Sequence, residues 1–242
     1  MKKNIVLLLV LLASFNVGHA QFGKLLDKAK SEGEKIIGKE DSGLDIAGGL
    51  KEALDEGVKE AVTSLSKKDG YYASPYKVLI PKDAQKVINK VKHIPGFNNV
   101  EEELISKMNQ AAEVAAKKAT PIFVNAIKNM SFTDAKKILF GEDDAGTRYL
   151  ENSSRKSLYN EFMPVIQSAL QEVNATKYWK SVVQKYNAIP LTKDVNPDLD
   201  DHVNSKALDG LFGLIQVKED GIRKDVGQRS SPLLKDVFGQ LD

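Results

Sequence analysis

The chain has 242 residues, 42% of them hydrophobic and 28% charged, with no cysteine, one tryptophan and eight prolines. That composition belongs to a globular protein. It excludes a disulfide framework, a cysteine-ligated zinc site, a cysteine nucleophile and a collagen-like or wholly disordered chain. A formal charge of +2 gives no bulk preference for nucleic acid or an anionic membrane.

The chain opens as a secretory signal peptide. Met1-Lys2-Lys3 is a positive start, Ile5 to Ala13 is an apolar run, and Gly18-His19-Ala20 offers the small residues of a cleavage site. The run is too short to span a bilayer, which takes about 20 apolar residues. No cysteine follows it, so a lipoprotein anchor is excluded. Residues 1–20 are therefore expected to be cleaved after Ala20, placing the rest in the periplasm or outside the cell with no integral membrane span. Loss of Lys2 and Lys3 makes the remaining chain formally neutral, which argues against a membrane-surface helix bundle. About 220 residues then rely on core packing alone for stability.

Residues 21–43 are rich in Lys, Glu, Gly and Asp with a few aliphatics, and read as a flexible lead-in. From residue 44 to 242 a single helical domain is expected. Leu50, Ala53, Leu54, Val58, Ala61, Val62 and Leu65 recur at three- and four-residue steps, an amphipathic helix. Gly57 inside it suggests a close helix contact. Tyr71 to Pro81 is the sole strand-like stretch. Its two prolines make it an extended crossing segment, with at most one short strand near 76–80.

Lys82 to Lys92 reads as a short helix and Pro95-Gly96 as a turn. Asn99 with Glu102 forms a capping-box pattern ahead of the face Leu104, Ile105, Met108, Ala112 and Ala115. Thr120-Pro121 starts or kinks the next helix, and Ser131 to Phe140 makes a short one that Gly141 stops. Two further runs follow, Leu158 to Val173 and Tyr178 to Tyr186. After a polar loop from Ile189 to Pro197, Val203, Ala207, Leu208, Leu211, Phe212 and Ile215 line a long helix. A short one near Leu233 to Phe238 follows. The fold expected is all-α, a bundle of about 8–10 helices. The pattern from Pro121 to Thr133 recurs from Pro164 to Thr176, either as a weak two-helix repeat or as two helices burying the same kind of face.

Catalytic signatures are missing. There is no Gly-x-Ser-x-Gly, phosphate-loop, dinucleotide or His-Glu-x-x-His motif. Ser64/Lys67, Ser74/Lys77 and Ser153/Lys156 match Ser-x-x-Lys, as a lysine-rich chain does by chance. His93 reads as a surface residue. Asp194, Asn196 and Asp198 begin like a calcium loop, but Leu199 replaces the needed glycine and Ser205 the bidentate glutamate. No metal site and no cofactor are therefore expected. Asp200 or Asp201 more simply favours the start of the helix that follows.

Arginine is rarer than lysine here, with only four among 35 basic residues: Arg148, Arg155, Arg223 and Arg229. Guanidinium groups suit specific bidentate partners. Each is expected to meet an internal carboxylate, for example Asp143, Asp209 or Asp220, or an anionic ligand. Gly210 and Gly213 mark a close approach, of another helix or a ligand, to the last long helix.

Several stretches resemble an exported bacterial family, domain of unknown function 4197. They are Leu50-Lys-Glu-Ala-Leu-Asp-Glu-Gly-Val, Pro121-Ile-Phe-Val-Asn-Ala-Ile with Phe132-Thr-Asp-Ala, Thr147-Arg-Tyr and Lys185-Tyr-Asn-Ala-Ile-Pro. Lys206-Ala-Leu-Asp-Gly-Leu-Phe, Glu219-Asp-Gly-Ile-Arg, Arg229-Ser-Ser-Pro-Leu-Leu and Val237-Phe-Gly complete the set. The resemblance spans roughly Leu44 to Gly239 and implies a single helical domain in Gram-negative envelopes, with no activity to carry over.

The expectation is an exported, non-enzymatic domain that binds an envelope protein or a small anionic ligand, and no nucleic acid. Its rival is an enzyme acting on an anionic substrate through an Arg/Asp cluster. Arg148, Tyr149, Asp209, Arg223 and Arg229 are the candidate ligand-binding residues under either reading.

Overall fold

Apolar residues spaced by three and four fold, in a computed structural model, into helices throughout. The structure describes residues 44–172, 174–190 and 199–242; the expected leader and lead-in lie outside them. Nine α-helices occur among the described residues. They are α1 (Ile46–Leu65), α2 (Lys82–Val91), α3 (Val100–Ala116), α4 (Thr120–Lys128), α5 (Phe132–Leu139), α6 (Ala145–Glu172), α7 (Ala175–Asn187), α8 (Leu199–Lys224) and α9 (Pro232–Phe238).

The long helices α6 and α8 pack side by side, and α8 also lies against α1 and α3. On its other flanks α6 meets α3, α4, α5 and α7, while α2 covers α7. This arrangement buries one continuous core, including Leu50, Val58, Leu104, Met108, Phe162, Leu208 and Leu211. Phe123 of α4 meets Phe212 of α8 edge-on at 5.5 Å between ring centres, an arrangement that aromatic quadrupoles favour.

Local sequence sets many of the boundaries. The Asp45 side chain accepts from Gly48 N at 2.7 Å and caps α1. Ser131 and Asp134 form a reciprocal capping box at α5. Ser231 accepts from Leu234 N ahead of Pro232, which opens α9. Each satisfies N–H groups that the first helical turn leaves without partners.

One expectation changes, and two open ones narrow. Asn99 does precede α3, but its side chain makes no cap bond; Glu102 instead accepts from the Tyr72 hydroxyl at 3.1 Å. No strand forms at 76–80 among the described residues, because no second strand is there to pair with. The 43-residue echo is a shared buried face: Phe123, Ala126 and Ile127 correspond to Ile166, Ala169 and Leu170, all buried. Pro121 nevertheless opens its helix, whereas Pro164 sits inside α6.

Candidate functional site

Four buried polar or charged residues, with the exposed Asp242, build a clasp where α5, α6 and α8 meet. Glu219 projects from α8 across the start of α6. Its carboxylate accepts from Gly146 N at 2.8 Å, Thr147 N at 2.7 Å and the Thr147 hydroxyl at 2.8 Å. A carboxylate there meets unpaired N–H groups and the positive end of the helix dipole. Gly146 permits the approach, since a β-carbon on it would lie 2.9 Å from Glu219 Oε1 and from Leu54 Cδ2.

Arg223, one turn on, pairs with Glu219 at 2.9 Å and donates to the carbonyls of Leu139 at 3.0 Å and Ile138 at 2.8 Å. It thereby closes the C-terminal end of α5. Arg229 folds back to donate to the carbonyls of Ile222 and Arg223, at 3.0 and 2.9 Å. Its two terminal nitrogens then hold the Asp242 carboxylate at 2.7 Å each. That bidentate pair holds the Asp242 carboxyl below its ordinary range and pushes the Arg229 guanidinium up. Glu219, Arg223 and Arg229 are all buried, and each is paired, as low-dielectric burial requires.

The other candidate residues lie elsewhere. Arg148 is exposed and pairs with Asp144 at 2.5 Å. Tyr149 is half-buried, and burial raises its phenol pKa. Asp209 meets Arg155 at 2.5 Å and Lys206 at 2.9 Å; although burial opposes it, these two cations hold its carboxyl below the usual range. The structure therefore joins Arg223 to Arg229 but does not bring Arg148, Tyr149 or Asp209 to them. Of the expected internal partners, Asp209 does meet an arginine. Asp143 and Asp220 meet Lys224 instead, at 2.7 and 2.5 Å.

A second polar construction was not anticipated. The irregular segment between α1 and α2 is held by buried side chains of α3 and by a backbone carbonyl and a histidine of α8. Asn109 acts as a surrogate strand: its Oδ1 accepts from Val78 N at 2.8 Å, and its Nδ2 donates to Val78 O at 2.9 Å. Glu113 accepts from Tyr71 N and faces the backbone N–H groups of Asp69 and Tyr72, while burial raises its carboxyl pKa. Asp69 there adopts φ 59°, a left-handed conformation uncommon outside glycine.

From the α8 side, Ala207 O accepts from the buried Tyr71 hydroxyl at 2.6 Å. His202 Nε2 donates to Leu79 O at 2.8 Å. Gly210 and Gly213 do mark a close approach, but by the rings of Tyr71 and Tyr76 rather than by a helix. The visible signals were the tyrosine-rich segment and the two glycines. Asn109 and Glu113 flank an apolar face, where sequence alone reads them as solvated.

This anchoring presents Tyr72 and Lys77 to an open cleft of about 370 Å³. Its opposite wall is the start of α3, with Asn98, Asn99, Glu101, Glu102 and Ile105. A second cavity of about 10 Å³ lies among Leu50, Leu54, Ile215, Phe238 and Glu219, room for little more than one water. None of the five residues singled out from sequence lines the larger cleft.

Among the described residues, no group of three or more His, Asp or Glu side chains is placed to hold a metal ion. Asp194, Asn196 and Asp198 lie outside the described residues. No described helix is long and apolar enough to cross a membrane. The molecule is thus an all-α domain with a buried charge clasp and a rigidly held polar cleft. Residues 41–239 match the family described as a protein of unknown function (DUF4197), and the chain belongs to that family. The clasp residues Glu219, Arg223 and Arg229 fall within the matched span. No curated protein and no solved structure matches the chain.

Proposed function

We propose that this protein is an exported, non-catalytic binding domain of the cell envelope, and that its recognition surface is the cleft between Tyr72 and the start of α3. Export, with cleavage after Ala20, rests on the leader pattern at residues 1–20. Binding rests on one observation above all: buried polar groups of two helices hold an irregular segment whose exposed face lines a cleft. Asn109 and Glu113 sit inside the core to fix that segment, although burying polar groups is unfavourable unless they are bonded. Fixed irregular segments on a rigid scaffold are where recognition residues commonly lie.

The anionic-ligand reading of Arg223 and Arg229 finds less support, because all three nitrogens of each guanidinium already donate to carbonyls or a carboxylate. An enzyme built on an Arg/Asp cluster would need those same charges free. Affinity purification from intact cells, with identification of co-eluting small molecules and proteins, tests the proposal against a Tyr72→Ala, Lys77→Ala double variant. Material retained by the parent and lost by the variant is the expected result. Equal retention by both, or none by either, removes the cleft from consideration. Fractionation of the same cells tests export, which fails if the chain stays uncleaved in the cytoplasm.

A further inference from the structure

The Lys77 ammonium lies 3.6 Å from the centre of the Tyr72 ring. Among the described residues it makes no ion pair, although two carboxylates line the same cleft. Such an exposed cation–π contact is worth about 0.5–1 kcal/mol, so it is readily exchanged. We propose that the cleft binds a small organic ammonium ion, with Lys77 occupying the aromatic face in its absence. This rests on the reading of the cleft as the recognition surface.

Two features favour a cation over an anion, and two more are compatible with either. The Tyr72 ring offers a negative face, and the Tyr72 hydroxyl is oriented by donation to Glu102. The walls carry Glu101 and Glu102 against one lysine, so the side chains of the lining carry a net negative formal charge, which outweighs the half-charge at the start of α3. The Asn98 and Asn99 side chains add amide carbonyls, which accept hydrogen bonds from ammonium groups. Finally, about 370 Å³ falls within the range of small-molecule sites. An incoming ammonium displaces Lys77, whose flexible four-carbon stem swings the charge toward solvent.

The test is titration of the protein, purified from cells expressing the full chain, with four probes followed by amide chemical shifts. Spermidine and tetramethylammonium supply the cation, citrate an anion and glucose a neutral polyol. Both ammonium probes should perturb residues 72–77 and 98–105. Tyr72→Leu should weaken them about three- to fivefold and Lys77→Ala tighten them by about the same factor. Tyr72→Phe retains the ring face and should retain affinity; a role exerted through the hydroxyl and Glu102 would lose it. Circular dichroism establishes that each variant is folded.

Ammonium probes that fail to bind both the parent and Lys77→Ala overturn the proposal, as does affinity indifferent to Tyr72→Leu. If citrate or glucose instead binds in a Tyr72-dependent way, the cleft remains the recognition surface and only its cationic assignment falls. Silence from all four probes overturns the ammonium assignment, while retention by the parent and not by the double variant in the affinity purification decides separately whether the cleft is the recognition surface.

Discussion

The ring of Tyr71 stands where a side chain on Gly210 would have to be. A β-carbon at that position would lie 2.7 Å from Tyr71 Cε1 and 3.1 Å from Tyr76 Cβ. Tyr71 cannot retreat, since it is fully buried and its hydroxyl is bonded to Ala207 O. Gly210→Ala should therefore destabilise the protein by about 1–3 kcal/mol, overpacking outweighing the better helix propensity of alanine. Denaturant unfolding checks this; an unchanged midpoint would show that the segment shifts freely.

The same substitution at Gly57 should have the opposite sign. Its closest neighbours would be Lys218 Cβ at 3.6 Å and Ile215 Cγ2 at 3.7 Å, ordinary contact distances. The helix does approach closely there, yet a methyl group fits. Gly57→Ala should raise stability by about 0.5–1 kcal/mol through helix propensity, read as a higher thermal midpoint.

Removing Glu219 leaves Arg223 buried without its carboxylate and uncaps two N–H groups at the start of α6. Glu219→Ala is expected to lose about 3–5 kcal/mol. Arg148→Ala, at an exposed pair, should lose less than about 1 kcal/mol. Equal effects in urea titrations would refute the clasp as the dominant tie.

Asp55 on α1 supplies a pH signature. Burial chiefly raises its carboxyl pKa to about 6, with Lys59 opposing and Glu56 and Glu52 assisting. The folded state thus holds its proton more tightly than the unfolded chain does. The associated stability is present below the ordinary carboxylate pKa and lost as pH rises through about 6. Asp55→Asn should therefore be more stable than the parent at pH 7 by on the order of 1 kcal/mol, after allowance for partial solvent exposure. The gap should close near pH 4. Parallel pH profiles for the two proteins would contradict the assignment.

What could be read in advance follows from how far each signal reaches along the chain. Leu50 to Leu65 or Val203 to Ile215 declare a helix through spacing alone, and Gly141 declares where the helix from Ser131 stops, because each such feature is settled within a turn or two. Asn99 and Glu102 show where this breaks down, the same local pattern being overridden once Tyr72 takes the glutamate from 30 residues away. The scarcity of arginine pointed correctly to specific partners. Glu219 for Arg223 is an i,i+4 pair on one helix, which spacing does encode, whereas Asp242 for Arg229 depends on turns that spacing does not encode. Gly210 likewise announced a close neighbour without naming it, since Tyr71 arrives from 139 positions earlier in the chain. Asn109 and Glu113 were the hardest to see: a polar residue beside an apolar stripe looks solvated until something packs over it.

The clasp has a consequence for the order of folding. It ties the α5–α6 junction near residues 138–147 to Glu219 and Arg223 on α8, and then to Arg229 and Asp242. A growing chain cannot cap the start of α6 with Glu219 until the 72 residues after Thr147 have been made, nor hold Arg229 with a carboxylate until Asp242 is made. Contacts of such long sequence separation form late, so the α5–α6 junction stays unclasped until α8 has been made. That delay suits a protein proposed to cross a membrane before it folds.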